Sequence, residues 1–568
     1  LWVDATLEPT PGAVPPCPSP GCQQALRDLR RQAGFYQAMH RRATRREAEL
    51  KAQLAQRQAE ADGRCQQLLH RVADLEAEVR LLEQRLHGRS SETYQRPNAL
   101  ADGPAPAAPG PAPTPRRRGQ RPGRPGHGRR CHDRLPATHE TLDLPDGRRR
   151  CGGCGLPLAP CGSEPHGGAL VEVSVKAHRR VFRRRRYRPT CACPGQPALV
   201  AAPPPPRLFA NTAPGVSVWV LVLLDKYAFG RPTHRLLAQL RGHGPGLAQG
   251  TLTDGLRRLL PLLGPAYEAL VSHNREQGRR HGDETRWPVF AAAEGKVGHL
   301  WHLWLVMSAE AAAFVVASGR SHDVPEEAPG PDARGIFNAD RYRAYPAMGQ
   351  VKDGRVTLAL CWAHQRRDFI AAERGHPELN ARASAWLGRI GGLYRLNAAR
   401  LAARREGPAA FAAADGELRA ALGAMEQAAA AEPGQARLPA ACRPVLSSLQ
   451  KHWPGLTVFV EHPEVPMDNN AAERAQRGPV VGRKNYYGSG AVWSGRPAAV
   501  MFSLVQTLRL WGLDARKWLT GYLTACAEQG GRAPTELRRW LPWQMTRGER
   551  AGLKAPGPAE GRPAENSS

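Results

Sequence analysis

Three acids in this chain stand in surroundings that suit phosphoryl-transfer chemistry. Asp283 lies in Arg280-His281-Gly282-Asp283-Glu284-Thr285-Arg286-Trp287-Pro288-Val289-Phe290, and Asp340 ends Gly335-Ile336-Phe337-Asn338-Ala339-Asp340, each in or beside a strand-like run. Glu473 lies in Pro466-Met467-Asp468-Asn469-Asn470-Ala471-Ala472-Glu473-Arg474-Ala475-Gln476-Arg477, which reads as a helix start. Asp468, Asn469 and Asn470 are all good N-caps, the alanines favour helix, and Glu473 and Arg477 share a face. Two strand-borne aspartates and a helix-borne glutamate are what a two-metal phosphoryl-transfer site requires. The competing reading makes Asn470 and Glu473 a capping box on an ordinary surface helix. Glu284 and Asp468 are the rival acids, and alternation along a strand turns Glu284 away from the face of Asp283.

A second set of residues has metal-ligand spacing. Cys151-Gly152-Gly153-Cys154-Gly155 is the tight turn of a zinc knuckle, and Cys191-Ala192-Cys193 follows after two strand-like segments, Ala169 to Val175 and Val181 to Tyr187. A hairpin that brings the two pairs together supplies four thiolates for one structural Zn²⁺. Cys131, Cys161, His132 and His166 remain alternatives for a member of the second pair. Arg183, Arg184, Arg185 and Arg186 lie on the returning strand and make this module dense enough in charge to bind phosphate.

These sites need a scaffold, and composition limits what it is. A chain of 568 residues with net charge +29 is long enough for several domains and calls for a polyanionic partner, with nucleic acid the leading candidate. Its most apolar run, Val216 to Leu224, is too short to span a bilayer, and no signal peptide opens the chain, so a cytoplasmic, nucleoid-associated protein is expected. Twelve cysteines in so long a chain are no disulfide framework. Because the first residue is Leu1, either a misread start codon or a missing true N-terminus is expected.

Taken in order, residues 1–25 are Pro-rich and expected to be disordered. Residues 26–92 are expected as a long helix, broken near Gly63, whose Leu68, Val72, Leu75, Val79, Leu82 and Leu86 form a heptad seam, so a homo-oligomer through a coiled coil is expected. Residues 93–135 form a basic Pro/Gly-rich linker, 136–205 the zinc-binding domain, and 206–275 a helical, helix-turn-helix-like DNA-binding region in which Thr251-Leu252-Thr253 opens the last helix. His281 to Phe290, His299 to Met307 and Ala312 to Val316 read as three sequential strands, and Gly335 to Ala339 and Arg355 to Cys361 as two more. That order describes a ribonuclease-H-like mixed sheet over 276–372, followed by a helical insertion (373–463), the helix with Glu473 (464–495), a C-terminal helical element (496–545) and a disordered tail (546–568). The fold class is thus multidomain α+β.

The combined pattern resembles the large transposase of the insertion-sequence-sixty-six family, a DDE transposase. The resemblance rests on the run Gly119 to Arg130, the cysteine ribbon, Lys226-Tyr227-Ala228, Asp283-Glu284-Thr285, Cys361-Trp362-Ala363-His364, Asp468 to Ala475, Gly482-Arg483-Lys484-Asn485 and Leu541-Pro542-Trp543, in family order. Departures are Asp340-Arg341-Tyr342, where the family usually has Asp-Gly-Tyr, and the long Arg-rich N-terminal helix. The resemblance implies that Asp283, Asp340 and Glu473 hold two Mg²⁺ (or Mn²⁺) ions for DNA strand cleavage and strand transfer, and that Arg477, Arg483 and Lys484 contact phosphates beside the scissile bond. His364 and Arg367 face the same cleft or form a packed, hydrogen-bonded pair. The implied partners are the element's terminal inverted repeats, target DNA and accessory proteins. The alternatives are a domesticated or inactive transposase acting as a DNA-binding protein and a structure-specific nuclease on the same fold.

Overall fold

The computed structural model describes residues 19–87, 145, 148–159, 175–188, 190, 195, 197 and 199–555, the last apart from 293–297, 377–378 and 433–441. The linker run Gly119 to Arg130, Cys131, His132, Cys161, His166, Cys191 and Cys193 therefore lie outside the described residues.

Helix α1 spans Pro20–His87. It starts earlier than expected, because Ser19 caps it by accepting from the Cys22 N–H at 3.3 Å and Pro20 fills the first helical position, where no N–H is needed. The helix runs through Gly63 without a break. One interior glycine costs only about 0.5–1 kcal/mol against alanine, and strong helix formers flank it. Along the seam Leu68, Val72, Leu75 and Val79 are 45–66% exposed.

In the cysteine module Arg186–Tyr187 (β1) pairs antiparallel with Val200–Ala201 (β2). The strand expected from Val181 thus shortens to two residues. Cys151 and Cys154 bracket a turn closed by the Gly155 N–H on the Cys151 carbonyl at 2.9 Å, with Gly155 in the left-handed region that favours glycine.

The next helices are α2 (Val216–Leu223), continued by a π-helical turn over Leu224–Ala228, then α3 (Thr233–Gly242) and α4 (Gln249–Glu276). Strands β3 (Arg279–Pro288), β4 (Leu300–Met307) and β5 (Ala312–Ala317) follow, then α5 (Asp323–Glu327), β6 (Gly335–Ala339), α6 (Gly349–Lys352), β7 (Val356–Leu360) and α7 (Trp362–Gly375). They form a five-stranded sheet of order β5-β4-β3-β6-β7, in which β3 is antiparallel to β4 and parallel to β6. All five strands agree with the expected positions to within two or three residues.

Both faces of β4 are buried, and successive side chains alternate between two cores, as the two-residue period of a strand requires. Leu303, Leu305 and Met307 join a core that also holds Trp219, Leu259 and Phe502 from the helices, whereas Trp304 and Val306 join Phe337, Tyr345 and Met348 on the other side. Helices α2 and α4 thus share one core with the sheet, and Gly255 of α4 meets the Trp219 ring so closely that a Cβ there would lie 1.8 Å from it. Edge strand β5 is covered by the helix Gly495–Leu510: Ser503 Oγ accepts from the Phe314 N–H at 2.8 Å and Thr507 Oγ1 from the Ala312 N–H at 3.0 Å.

The excursion between β7 and Glu473 is helical: α8 (Asn380–Ala403), α9 (Pro408–Ala431), α10 (Cys442–Leu456) and α11 (Val458–Glu461). Buried Arg400 ties it together, its Nε 2.6 Å from Asp415 and its Nη1 donating to the Phe459 carbonyl at 3.1 Å. The chain then enters α12 (Asn470–Tyr486), α13 (Gly495–Leu510), α14 (Ala515–Glu528) and α15 (Arg547–Leu553). The last corrects the expectation of a disordered tail from 546. Thr546 and Glu549 form a reciprocal capping box, with Thr546 N–H on Glu549 Oε2 at 2.7 Å and Glu549 N–H on Thr546 Oγ1 at 3.2 Å. Among the described residues no helix is long and apolar enough to cross a membrane.

Candidate functional site

Parallel pairing places the two aspartates side by side. His281 is in register with Asn338, so Asp283 and Asp340, each two residues further on, lie on neighbouring chains at the same end of the sheet. Asp283 pairs with Leu305 and Glu284 with Trp304, which sends their side chains to opposite faces.

Glu473 arrives by a stitched return. Trp362 N–H donates to the Met467 carbonyl at 2.9 Å, and Asn338 Nδ2 to the Pro466 carbonyl at 3.0 Å. Asn469 is almost fully buried: its Nδ2 donates to the Gly282 carbonyl at 2.6 Å, its Oδ1 lies 2.9 Å from His281 Nδ1, and its N–H reaches Cys361 Sγ at 3.2 Å. From this anchor α12 lies flat on the sheet, since Ala472 and Ala475 are buried and Gln476 Nε2 donates to the carbonyls of Leu303 at 3.3 Å and Asp283 at 3.4 Å. Asn470 is the first helical residue, and the side chain of the N-cap Asn469 makes no capping bond. The Glu473 carboxylate goes to Arg367, whose Nη2 lies 3.0 and 2.8 Å from its two oxygens. The capping-box reading of Asn470 and Glu473 is therefore set aside.

Asp283 and Asp340 both feel the neighbouring charges. Burial, then the charges of Glu284, Asp340 and Glu473, push the Asp283 carboxyl from the ordinary 3.8 up to about 8. Asp340 is also raised by burial, against the Tyr342 N–H that its Oδ1 accepts at 2.8 Å and against the charges of Arg320 and Arg341. Glu284 is raised by burial and by Asp340, opposed by hydrogen bonds from Tyr345 and Arg320. His364 is lowered by burial and by Arg367, whose Nη1 lies 3.1 Å from His364 Nε2. Cys361, His364 and Glu473 bring one ligand-type atom each to within 4.8 Å of one another.

The other expected site residues divide. Arg477 and Lys484 are exposed on α12, whereas Arg483 turns back, its Nη1 donating to Thr285 Oγ1 at 3.0 Å and to the Arg286 carbonyl. The rival acid Asp468 is occupied as a cap, its Oδ1 accepting from the Asn470 N–H at 3.1 Å. Arg183, Arg184, Arg185 and Arg186 are exposed, and Arg184 Nε donates to the Ala202 carbonyl at 2.6 Å. Cys151 and Cys154 are exposed, and backbone N–H groups of Cys154 and Gly153 lower the Cys151 thiol. The departure at Arg341 is explained by its partners, Asp368 at 2.6 Å and Gln365 Oε1 and Ser448 Oγ at 2.7 Å each, which hold the side chain against α7 and α10.

Arg320, Tyr345 and the anchoring role of Asn469 escape the sequence reading. Arg320 stands in Ser318-Gly319-Arg320-Ser321, a run with no motif. Asn469 is visible only as one of three adjacent cap formers.

A sheet of this order, with acids at the ends of two adjacent strands and on the helix packed across them, is consistent with a ribonuclease-H-like core. The family model described as Transposase IS66 family matches residues 211–496, half of the chain, and the chain belongs to that family. It is similar to three uncharacterized proteins of Sinorhizobium fredii (strain NBRC 101917 / NGR234). Identity to y4jD is 26% over 377 residues, 63% of this chain and 72% of that protein. Identity to y4hP is 24% over 412 residues, 68% and 72% respectively, and to y4qI 26% over 379 residues, 63% and 68%. Membership of a DDE transposase family implies a phosphoryl-transfer enzyme that acts on DNA with divalent metal.

The raised carboxyls set a pH dependence. A carboxyl whose value is higher folded than unfolded binds an extra proton in the folded state, so without metal the protein loses stability as pH rises from about 4 to about 8. Asp283→Asn is expected to flatten that slope in urea titrations between pH 5 and 9. An unchanged slope would show that Asp283 titrates normally.

Proposed function

We propose that the protein catalyses metal-dependent DNA strand cleavage and strand transfer for an insertion sequence, and binds the element's ends. The observation that carries this reading is the placing of Asp283 and Asp340 side by side on adjacent parallel strands with Glu473 on the helix packed across them, where burial first and then the charges of Glu284, Asp340 and Glu473 raise Asp283 to about 8. Carboxylates gathered against their own repulsion fit hard divalent cations, Mg²⁺ or Mn²⁺, which prefer oxygen ligands. When bound by these three acids, such ions lower the pKa of a nucleophilic oxygen and stabilise the leaving one.

The chain's own residues supply the rest. Arg367 pairs with the Glu473 carboxylate, its Nη2 2.8 Å from Oε2, and brings a cation to the rim of the site. His364, kept neutral by burial beside Arg367, presents an imidazole at the same rim. Arg477 and Lys484 line one exposed side of α12 as phosphate contacts, while Arg483 fixes the end of β3 beneath them. Arg183, Arg184, Arg185 and Arg186 add affinity for DNA through counterion release, independently of the catalytic acids.

Replacing Asp283, Asp340 or Glu473 singly by Ala should lower cleavage and strand transfer about a thousandfold or more, as loss of several kcal/mol of charge stabilisation implies at a factor of ten per 1.36 kcal/mol. End binding in a gel-shift assay should change little. Cleavage without joining by the wild-type protein would make it a nuclease, and end binding without either reaction a domesticated DNA-binding protein.

Around the core, Cys151, Cys154, Cys191 and Cys193 hold one structural Zn²⁺, since a small Arg-rich module folds poorly without a metal cross-link. Cys151→Ser should abolish the single zinc measured by atomic absorption. Stoichiometric zinc in a Cys191→Ser, Cys193→Ser double variant would reassign the second pair.

The exposed seam on α1 is covered by a second copy of the same helix, because one long amphipathic helix is not stabilised by its propensity alone. A Leu68→Lys, Leu75→Lys variant should sediment as a monomer. An unchanged oligomer would place the contact elsewhere.

A further inference from the structure

Arg320 is held with unusual completeness for a half-exposed side chain. It follows β5 in a loop fixed by Trp304 Nε1 on the Gly319 carbonyl at 3.4 Å and by Tyr342 Oη on the Arg320 carbonyl at 2.7 Å. Its guanidinium lies 3.7 Å from the centre of the Tyr342 ring. Nε and Nη2 both donate to Glu284 Oε1, at 3.2 and 2.5 Å, and Glu284 Oε2 accepts from Tyr345 Oη at 2.6 Å. The Glu284 side chain is 2% exposed and Tyr345 fully buried, yet the Arg320 side chain is 46% exposed. A rigid interior network thus ends in a cation at the surface. No acceptor for its remaining amine, Nη1, is found among the described residues.

The location gives this cation a purpose. Tyr342, on which Arg320 stacks, is the residue whose N–H binds Asp340, and the charge of Arg320 acts on Asp340 itself. We propose that Arg320 binds the DNA phosphate presented to the three acids, and that Glu284 and Tyr345 are positioning residues that act through it. The proposal rests on the transposase reading above. Arginine suits the role because its planar fork presents one edge to Glu284 while the other donates to a phosphate oxygen, with no reorganisation as charge develops. It also gives Glu284 a function distinct from that of its neighbour Asp283. One carboxylate faces the metal side of β3, and the other, on the opposite face, aims the arginine.

The competing explanation is that Arg320 merely neutralises a buried carboxylate, and a double variant separates the two. In single-turnover cleavage of a duplex carrying the element's terminal sequence, Arg320→Ala should lower the rate at saturating DNA about 10²–10³-fold, as for other transition-state donors. Arg320→Lys should recover part of the loss. Glu284→Gln should have a smaller effect in the wild-type background, none in the Arg320→Ala background, and no effect on the Mg²⁺ concentration for half-maximal rate. Recovery of the wild-type rate by Arg320→Ala, Glu284→Gln would reduce Arg320 to a counter-ion. A shifted Mg²⁺ requirement in Glu284→Gln would make Glu284 part of the metal site.

A binding measurement serves independently of turnover. Replacing the scissile phosphate with a neutral methylphosphonate, with Ca²⁺ present, should weaken binding to the wild-type protein about tenfold, the loss expected for a hydrogen bond to a charged group, and weaken binding to Arg320→Ala far less. Equal losses for both proteins would overturn the proposal. Absence of cleavage by the wild-type protein counts instead against the transposase reading, and the binding comparison still decides the role of Arg320.

Discussion

The buried amide of Asn469 is the joint on which the site depends. Its side chain bonds β3 at Gly282 and His281, while its own N–H bonds Cys361 at the end of β7, partners 187 and 108 residues away in sequence for Gly282 and Cys361. Each of these groups would cost about 1–3 kcal/mol if left buried and unpaired, so the loop has one well-satisfied position and few tolerable alternatives. Glu473 lies four residues beyond, about one helical turn, and inherits that accuracy. The asparagine thus stands between a long helical excursion and a carboxylate that must be placed to within a fraction of an ångström.

That excursion is less costly than its length implies. Closing a flexible loop grows only logarithmically with length, about 0.6 kcal/mol for each doubling. Arg400 moreover binds α9 and α11 together, and Val465 packs on Ile336 and Ala359 just before the return. The family pattern and a large insertion are therefore compatible.

The acids themselves oppose folding. Asp283, Asp340 and Glu284 are all raised by burial and by neighbouring negative charge, and the surrounding structure offsets this with Arg367 on Glu473, Arg320 on Glu284 and the Tyr342 N–H on Asp340. A site that concentrates negative charge lowers stability in exchange for affinity toward cations, the usual trade between activity and stability. Of the offsetting groups, the Tyr342 N–H is backbone, and the Arg367 and Arg320 side chains are about half exposed.

Periodicity and spacing in the sequence determined the five strands, the long N-terminal helix, the turn between Cys151 and Cys154, and the placing of Asp283 and Asp340 at strand ends and Glu473 at a helix start, because each depends on residues close together along the chain. The face of Glu284 was legible for the same reason, since a strand alternates whatever surrounds it. The short helix at 547–553 was legible in principle, through the Thr546 and Glu549 capping box. Tertiary structure alone decided which partners those residues meet. No local rule distinguishes Asn469 from the cap formers beside it, or Arg320 from the many other arginines of a basic chain. Nor does any local rule tell that Arg483 turns inward to Thr285 while Lys484 stays exposed. Those assignments follow from contacts distant in sequence, 36 residues apart for Arg320 with Glu284, 187 for Asn469 with Gly282 and 198 for Arg483 with Thr285, where the free energy of satisfying a polar group depends on what the fold has brought beside it.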